Sequence, residues 1–137
     1  MQHGPLNIDV TRAPDGVVVV ACAGELDVAG VAPFVDAVRR ELQAGARRLC
    51  IDLDELGLLD SAGIAALVNV RRYTIRGLGR IVLVCREGGQ VERMLVQAGL
   101  EPYFEVERTR AQAVRSLAPE ARLDSDACLP SKRSKRP

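Results

Sequence analysis

The chain has 137 residues, 47% of them hydrophobic and 27% charged, which is the length of one domain and the composition of a folded globular protein. Its longest apolar run, Val17 to Ala23, is seven residues against the roughly 20 that a membrane helix needs. The mixed opening Met1 to Arg12 carries Asp9 and Arg12, so no apolar signal segment is expected and a cytoplasmic location is.

The net charge of +1 is unevenly spread. Residues 1–118 hold 14 Lys or Arg and 15 Asp or Glu, while residues 119–137 hold five and three, with the excess at Lys132, Arg133, Lys135 and Arg136. A single domain over 1–118 and a disordered basic tail over 119–137 are expected. A near-neutral body is a poor DNA-binding surface, so direct DNA binding is not expected.

Along the chain, Leu6, Ile8 and Val10 alternate with polar residues, the period of a half-buried strand. Ala13-Pro14-Asp15-Gly16 supplies turn chemistry before the β-branched run Val17 to Ala23, so the two strands read as a hairpin. Gly24 is expected to end the second strand. After Asp27, apolar residues recur at Val31, Phe34, Val35, Val38 and Leu42, a helical spacing stopped by Gly45. Leu49 to Leu53 is a buried strand, and Leu56-Gly57-Leu58-Leu59 an apolar connection.

Ile64, Leu67, Val68, Arg71 and Ile75 mark a second helix ending near Gly77 or Gly79. Ile81 to Cys85 is another buried strand, Glu87-Gly88-Gly89 a loop, and Val91, Met94, Leu95 and Ala98 a short third helix. Tyr103 to Val106 reads as a brief last strand, and Thr109 as the N-cap of a final helix carrying Ala113, Val114 and Leu117. No internal repeat is expected.

Strands alternating with helices imply right-handed crossovers and a mostly parallel α/β sheet, made mixed by the N-terminal antiparallel hairpin. About four helices are expected, mainly on one face, with the other face partly exposed or covered by the first strand. That uncovered face leaves room for a weak homodimer.

Enzyme signatures fail on residue supply. There is no phosphate loop, Lys occurs only at 132 and 135, and His3 is the sole histidine, which disfavours nucleotide and nucleophilic chemistry. Cys22, Cys50, Cys85 and Cys128 are 28, 35 and 43 residues apart, without the close ligand pairs of a zinc site. No metal and no cofactor are expected. The first three cysteines lie in strand-like runs and read as small hydrophobes, with redox regulation as the alternative for all four. Asp52, Asp54 and Glu55 read as a solvated rim.

What remains is Asp60-Ser61-Ala62-Gly63, where a buried strand's exit meets a helix, the end of an open α/β sheet that carries sites. Ser61 reads as at or beside the N-cap. Its bland role is to cap the helix; its functional role is to present a hydroxyl. Gly63 costs about 1 kcal/mol in a helix interior, which close approach of another backbone would explain.

Leu49-Cys50-Ile51-Asp52-Leu53 through Leu59-Asp60-Ser61-Ala62-Gly63-Ile64-Ala65-Ala66-Leu67, together with Gly24-Glu25-Leu26-Asp27, resembles STAS domains, in particular bacterial anti-sigma-factor antagonists. Order and spacing agree over about residues 6–117. The resemblance implies that Ser61 is phosphorylated by a partner anti-sigma factor, an ATP-dependent serine kinase, and dephosphorylated by a serine phosphatase. It implies that the unmodified chain binds the anti-sigma factor and releases the sigma factor. The chain would be the kinase's substrate and no enzyme.

Within that cycle Asp60 positions or polarises the Ser61 hydroxyl and contributes to binding, Gly63 permits close approach, and Gly24, Glu25 and Asp27 form the adjacent loop that helps contact the partner. Leu58 supplies apolar contact area, and Leu59 belongs to the core. Ala62 stands where many relatives carry a second serine, leaving one hydroxyl. Two alternatives keep the fold: an unphosphorylated STAS subunit of a larger assembly or transporter, and a thiol-regulated antagonist.

Overall fold

The computed structural model describes residues 4–119, so His3, Cys128 and the basic stretch 132–136 lie outside it. Alternation makes β1 (Asn7–Arg12), and a 3-10 turn at Pro14–Gly16 reverses the chain into β2 (Val17–Leu26). There follow α1 (Val28–Gln43), β3 (Arg48–Leu59), α2 (Ser61–Arg76), β4 (Arg80–Val84), α3 (Gln90–Gln97), β5 (Glu105–Glu107) and α4 (Arg110–Leu117). The five strands lie in chain order; β1 pairs antiparallel with β2, and every other pair is parallel.

The expected mixed α/β sheet with four helices is the observed fold. Val18, Val20, Ile51, Leu53 and Leu83 meet Phe34, Val38, Leu67, Val70 and Leu95, so α1, α2 and α3 cover one face. On the other face Val17, Val19, Cys50, Val82 and Val84 meet Ala113 and Leu117 of α4. The second face is thus covered by α4 and not by β1, which lies at the sheet edge. Because β2, β3 and β4 are sandwiched, their sequences read as continuous apolar runs and not as alternation.

The structure differs from the sequence reading at both long strands. Gly24 does not end β2, and Leu56–Leu59 is no connection: both strands run on, pairing Gly24 with Leu56, Glu25 with Leu58 and Leu26 with Leu59. Irregularities between Ala21 and Ala23 and between Gly24 and Glu25 interrupt the register, and there Gly24 on β2 and the charged pair Asp54-Glu55 on β3 break the apolar runs, which is what hid the extension. Asp52 is no solvated rim either. It is only 8% exposed, with Oδ1 accepting the Asp54 N–H at 3.0 Å and Oδ2 accepting the Arg110 side chain at 2.8 Å. This ion pair ties the start of α4 to β3. Asp54 pairs with Arg86. The last strand begins at Glu105, after a 3-10 turn over Glu101–Tyr103.

Candidate functional site at the paired helix starts

β2 and β3 reach their carboxyl ends side by side, and each hands the chain to a helix through one aspartate. Asp27 caps α1, with Oδ1 accepting the Ala29 N–H at 3.1 Å and the Gly30 N–H at 3.3 Å. Asp60 caps α2, with Oδ1 accepting the Gly63 N–H at 3.0 Å. A carboxylate here satisfies amides that have no partner within the helix and faces the positive end of the helix dipole. Since Leu26 and Leu59 are register partners, the residues two steps on, Val28 and Ser61, begin adjacent helices side by side.

This symmetry is written in the sequence. Leu26-Asp27-Val28-Ala29-Gly30-Val31-Ala32 matches Leu59-Asp60-Ser61-Ala62-Gly63-Ile64-Ala65 in type at every position but one, Val28 against Ser61. The short repeat contradicts the reading that no internal repeat exists. It is also the signal that points to Val28, a residue the motif-based reading missed. Val28 is 77% exposed, a large apolar side chain at the mouth of the site.

Ser61 is the first residue of α2, and it is exposed. The cap belongs to Asp60, so the helix does not need the Ser61 hydroxyl. Asp60 in turn has one carboxylate oxygen committed to Gly63, and its own N–H donates to the Leu26 carbonyl at 3.4 Å. Gly63 is buried against β2: a Cβ there would overlap the Leu26 carbonyl oxygen and lie 2.7 Å from Leu59 Cδ1. The close approach expected at Gly63 is therefore internal, between the start of α2 and the end of β2.

Gly24 has φ +93°, and a Cβ would overlap the Pro5 carbonyl oxygen. It is a bulge residue in β2 with the N-terminal segment laid across it. Glu25 and Leu58, partly exposed register neighbours, lie within the paired strands and not in a loop. Ala62 is half-buried beside Ser61, and Leu59 is buried in the core. The structure thus brings Asp27, Val28, Asp60, Ser61 and Ala62 together at the helix starts. Gly24 and Gly63 shape the backbone beneath them.

The cysteines lie elsewhere. Burial, with the Asp52 charge second, pushes the Cys22 and Cys50 thiols up to about 12; burial also raises Cys85. Thiols raised in this way hold less of the reactive thiolate at neutral pH. Among the described residues no three His, Cys, Asp or Glu side chains could hold a metal ion, and no helix is long and apolar enough to cross a membrane.

Strand order, the antiparallel leading strand and the two Asp-capped helix starts define an α/β domain whose candidate site lies where parallel strands give way to helices. The chain belongs to the STAS domain family, whose model matches residues 9–113. No curated protein sequence shows a significant match. Among solved structures, the chain is similar to an anti-sigma factor antagonist from Mycobacterium paratuberculosis, with 24% identity, TM-score 0.73, and 82% of this chain and 94% of that one covered. It is also similar to the Bacillus cell fate determinant SpoIIAA in its phosphorylated form, with 20% identity, TM-score 0.62 and coverage of 79% and 96%. SpoIIAA in its unphosphorylated form aligns at 21% identity and TM-score 0.67, covering 80% and 94%. At these identities the likeness is one of fold.

Proposed function

We propose that this chain is an anti-sigma-factor antagonist that binds an anti-sigma factor in its unmodified form and is switched off by phosphorylation of Ser61. The observation that carries the reading is the exposed Ser61 at the first position of α2, relieved of capping by Asp60. Family membership and the fold shared with SpoIIAA, described in a phosphorylated form, support it. The partner in this reading is an ATP-dependent serine kinase as well as an anti-sigma factor, and a serine phosphatase restores the antagonist. The chain is the substrate of both and no enzyme itself.

The physics of the switch follows from the position. A phosphoserine adds about −1.5 to −2 charges, and at a helix start free amides and the dipole accommodate them. The modified domain therefore stays folded. A partner seated over the same helix end meets the phosphate next to Asp27 and Asp60 and has to desolvate three negative groups together. Removing a few kcal/mol in this way weakens binding by about two to three decades. Val28 supplies the apolar contact beside the serine, and Ala62 leaves no second hydroxyl at the helix start.

The test is phosphorylation of the purified chain by the purified anti-sigma kinases of the source organism, with the product mapped by mass spectrometry. One phosphate per chain, on Ser61 and absent from Ser61→Ala, is expected. Phosphate on another residue, or none with any of the kinases, overturns the reading.

A further inference from the structure

Beyond the helix starts, the outer surface of α1 and α2 changes character along its length. Residues 28–35 and 61–70 carry no charged side chain. The second halves are basic: Arg39, Arg40, Arg72 and Arg76 are all exposed, and α2 contains no acidic residue. The Arg39 guanidinium lies 4.9 Å from the centre of the Tyr73 ring, bringing the two helices' arginines onto one surface. Ion pairs among the described residues engage Arg12, Arg80, Arg86, Arg108 and Arg110, and none of these four. Of the acids on α1, Glu41 is already held by Arg12 at 2.8 Å, leaving Asp36. Helix-dipole compensation accounts for Arg40 and Arg76 in the last turns, but not for Arg39 and Arg72.

The same end carries an apolar residue from which folding gains nothing. Leu78 ends α2 in a left-handed conformation, φ +64°, and is 91% exposed. Its N–H donates to Ile75 O at 2.9 Å and the Gly79 N–H to Thr74 O at 2.8 Å, a helix-ending motif that ordinarily takes glycine or asparagine. A leucine there is strained, leaves nearly all of its side chain outside the core, and stands beside Ile75, which is 47% exposed. Arginines framing exposed aliphatic side chains have the composition of a protein interface. A body holding 14 basic and 15 acidic residues over 1–118 lacks the excess charge of a nucleic-acid binder.

We propose that Arg39, Arg40, Arg72 and Arg76, with Ile75 and Leu78, form a second docking surface that receives an acidic, partly apolar face of the partner bound at Ser61. This rests on the function proposed above, and it adds where and by what chemistry the partner extends. The neutral strip between the two surfaces makes them one continuous face. The arginines steer the encounter and Leu78 slows its dissociation.

The experiment measures stopped-flow association and dissociation with the purified anti-sigma kinase, at about 20 mM and about 300 mM salt. It compares wild type, the triple variant Arg39→Glu/Arg72→Glu/Arg76→Glu, the matching triple Arg→Gln variant, and Leu78→Asn. The charge reversal is expected to slow association at least roughly tenfold at low salt and to abolish its salt dependence, with Arg→Gln intermediate. Leu78→Asn is expected to melt no lower than wild type while dissociating several-fold faster. Association rates and salt dependence unchanged by both triple variants overturn this proposal alone, provided wild type binds and Ser61→Asp does not. A kinase that fails to bind wild type overturns the underlying reading. Tight wild-type binding to a duplex of about 20 base pairs or to phosphatidylglycerol vesicles, lost on charge reversal, overturns the acidic-protein assignment.

Discussion

Replacing Gly63 by alanine sets two effects of opposite sign against each other. By helix propensity alone, Gly63→Ala within α2 stabilises by about 1 kcal/mol. The added methyl, however, overlaps the Leu26 carbonyl oxygen and comes within 2.7 Å of Leu59 Cδ1 and 3.0 Å of Leu26 Cγ. The first obstacle is backbone, paired into β3 and accepting the Asp60 N–H, so it cannot rotate away as a side-chain end would. Overpacking of this kind costs typically about 1–3 kcal/mol, occasionally more. An immovable backbone obstacle puts the cost in the upper part of that range, about 2–3 kcal/mol, so the clash wins and a net loss of about 1–2 kcal/mol is expected, lowering Tm by roughly 4–8 °C in a domain of this size. Urea unfolding followed by circular dichroism measures it: the midpoint falls with the slope unchanged. A Gly63→Ala protein as stable as wild type, or more so, refutes the internal close approach and with it the explanation of this glycine.

The Asp60 cap is checked by Asp60→Ala, expected to cost about 1 kcal/mol in chemical denaturation, whereas Asp60→Asn, which can still accept from the Gly63 amide, loses much less. Val28→Asp, at an exposed position, is expected to leave Tm nearly unchanged yet weaken binding to the anti-sigma kinase by at least about tenfold in titration calorimetry, by analogy with truncation of a central apolar contact. The folded values of Cys22 and Cys50, about 12, exceed the ordinary 9.0. Their contribution is therefore full below pH 9 and is lost as pH climbs from there toward about 12. Cys22→Ala/Cys50→Ala is expected to flatten that alkaline decline, and in the native protein both thiols should resist alkylation at pH 8 until urea unfolds it.

The fold was legible where burial and periodicity agree. The β-branched run at Val17 to Val20, the helical stripe Phe34–Val38–Leu42 and the glycine stop at Gly45 each give one local answer, and alternation of strand and helix then leaves few topologies. It was illegible where tertiary contacts override pattern. The charged pair Asp54-Glu55 masked the continuation of β3, because its bulged pairing with β2 supplies the hydrogen bonds that the pattern did not advertise. Asp52 looked solvated because its partner, Arg110, lies 58 residues away. The placement of α4 on the second face depended on Ala113 and Leu117, two small contacts in a short helix.

The site was half visible. Asp60 and Ser61 stood out as the junction of a strand and a helix, but which of them caps α2 is decided by geometry, and the carboxylate does so. Val28 carries no chemistry as a residue type. It becomes informative only through the likeness of Leu26–Ala32 to Leu59–Ala65 and the register that sets the two helix starts together.

In the proposed switch, charge at Ser61, and nothing else about that side chain, decides whether the partner binds. Titration calorimetry of the purified anti-sigma kinase with wild type, Ser61→Ala and Ser61→Asp tests it directly. Wild type and Ser61→Ala are expected to bind alike, with Ser61→Asp weaker by about a hundredfold or more. Equal affinities for all three, or weakening by Ser61→Ala as great as by Ser61→Asp, would contradict the switch.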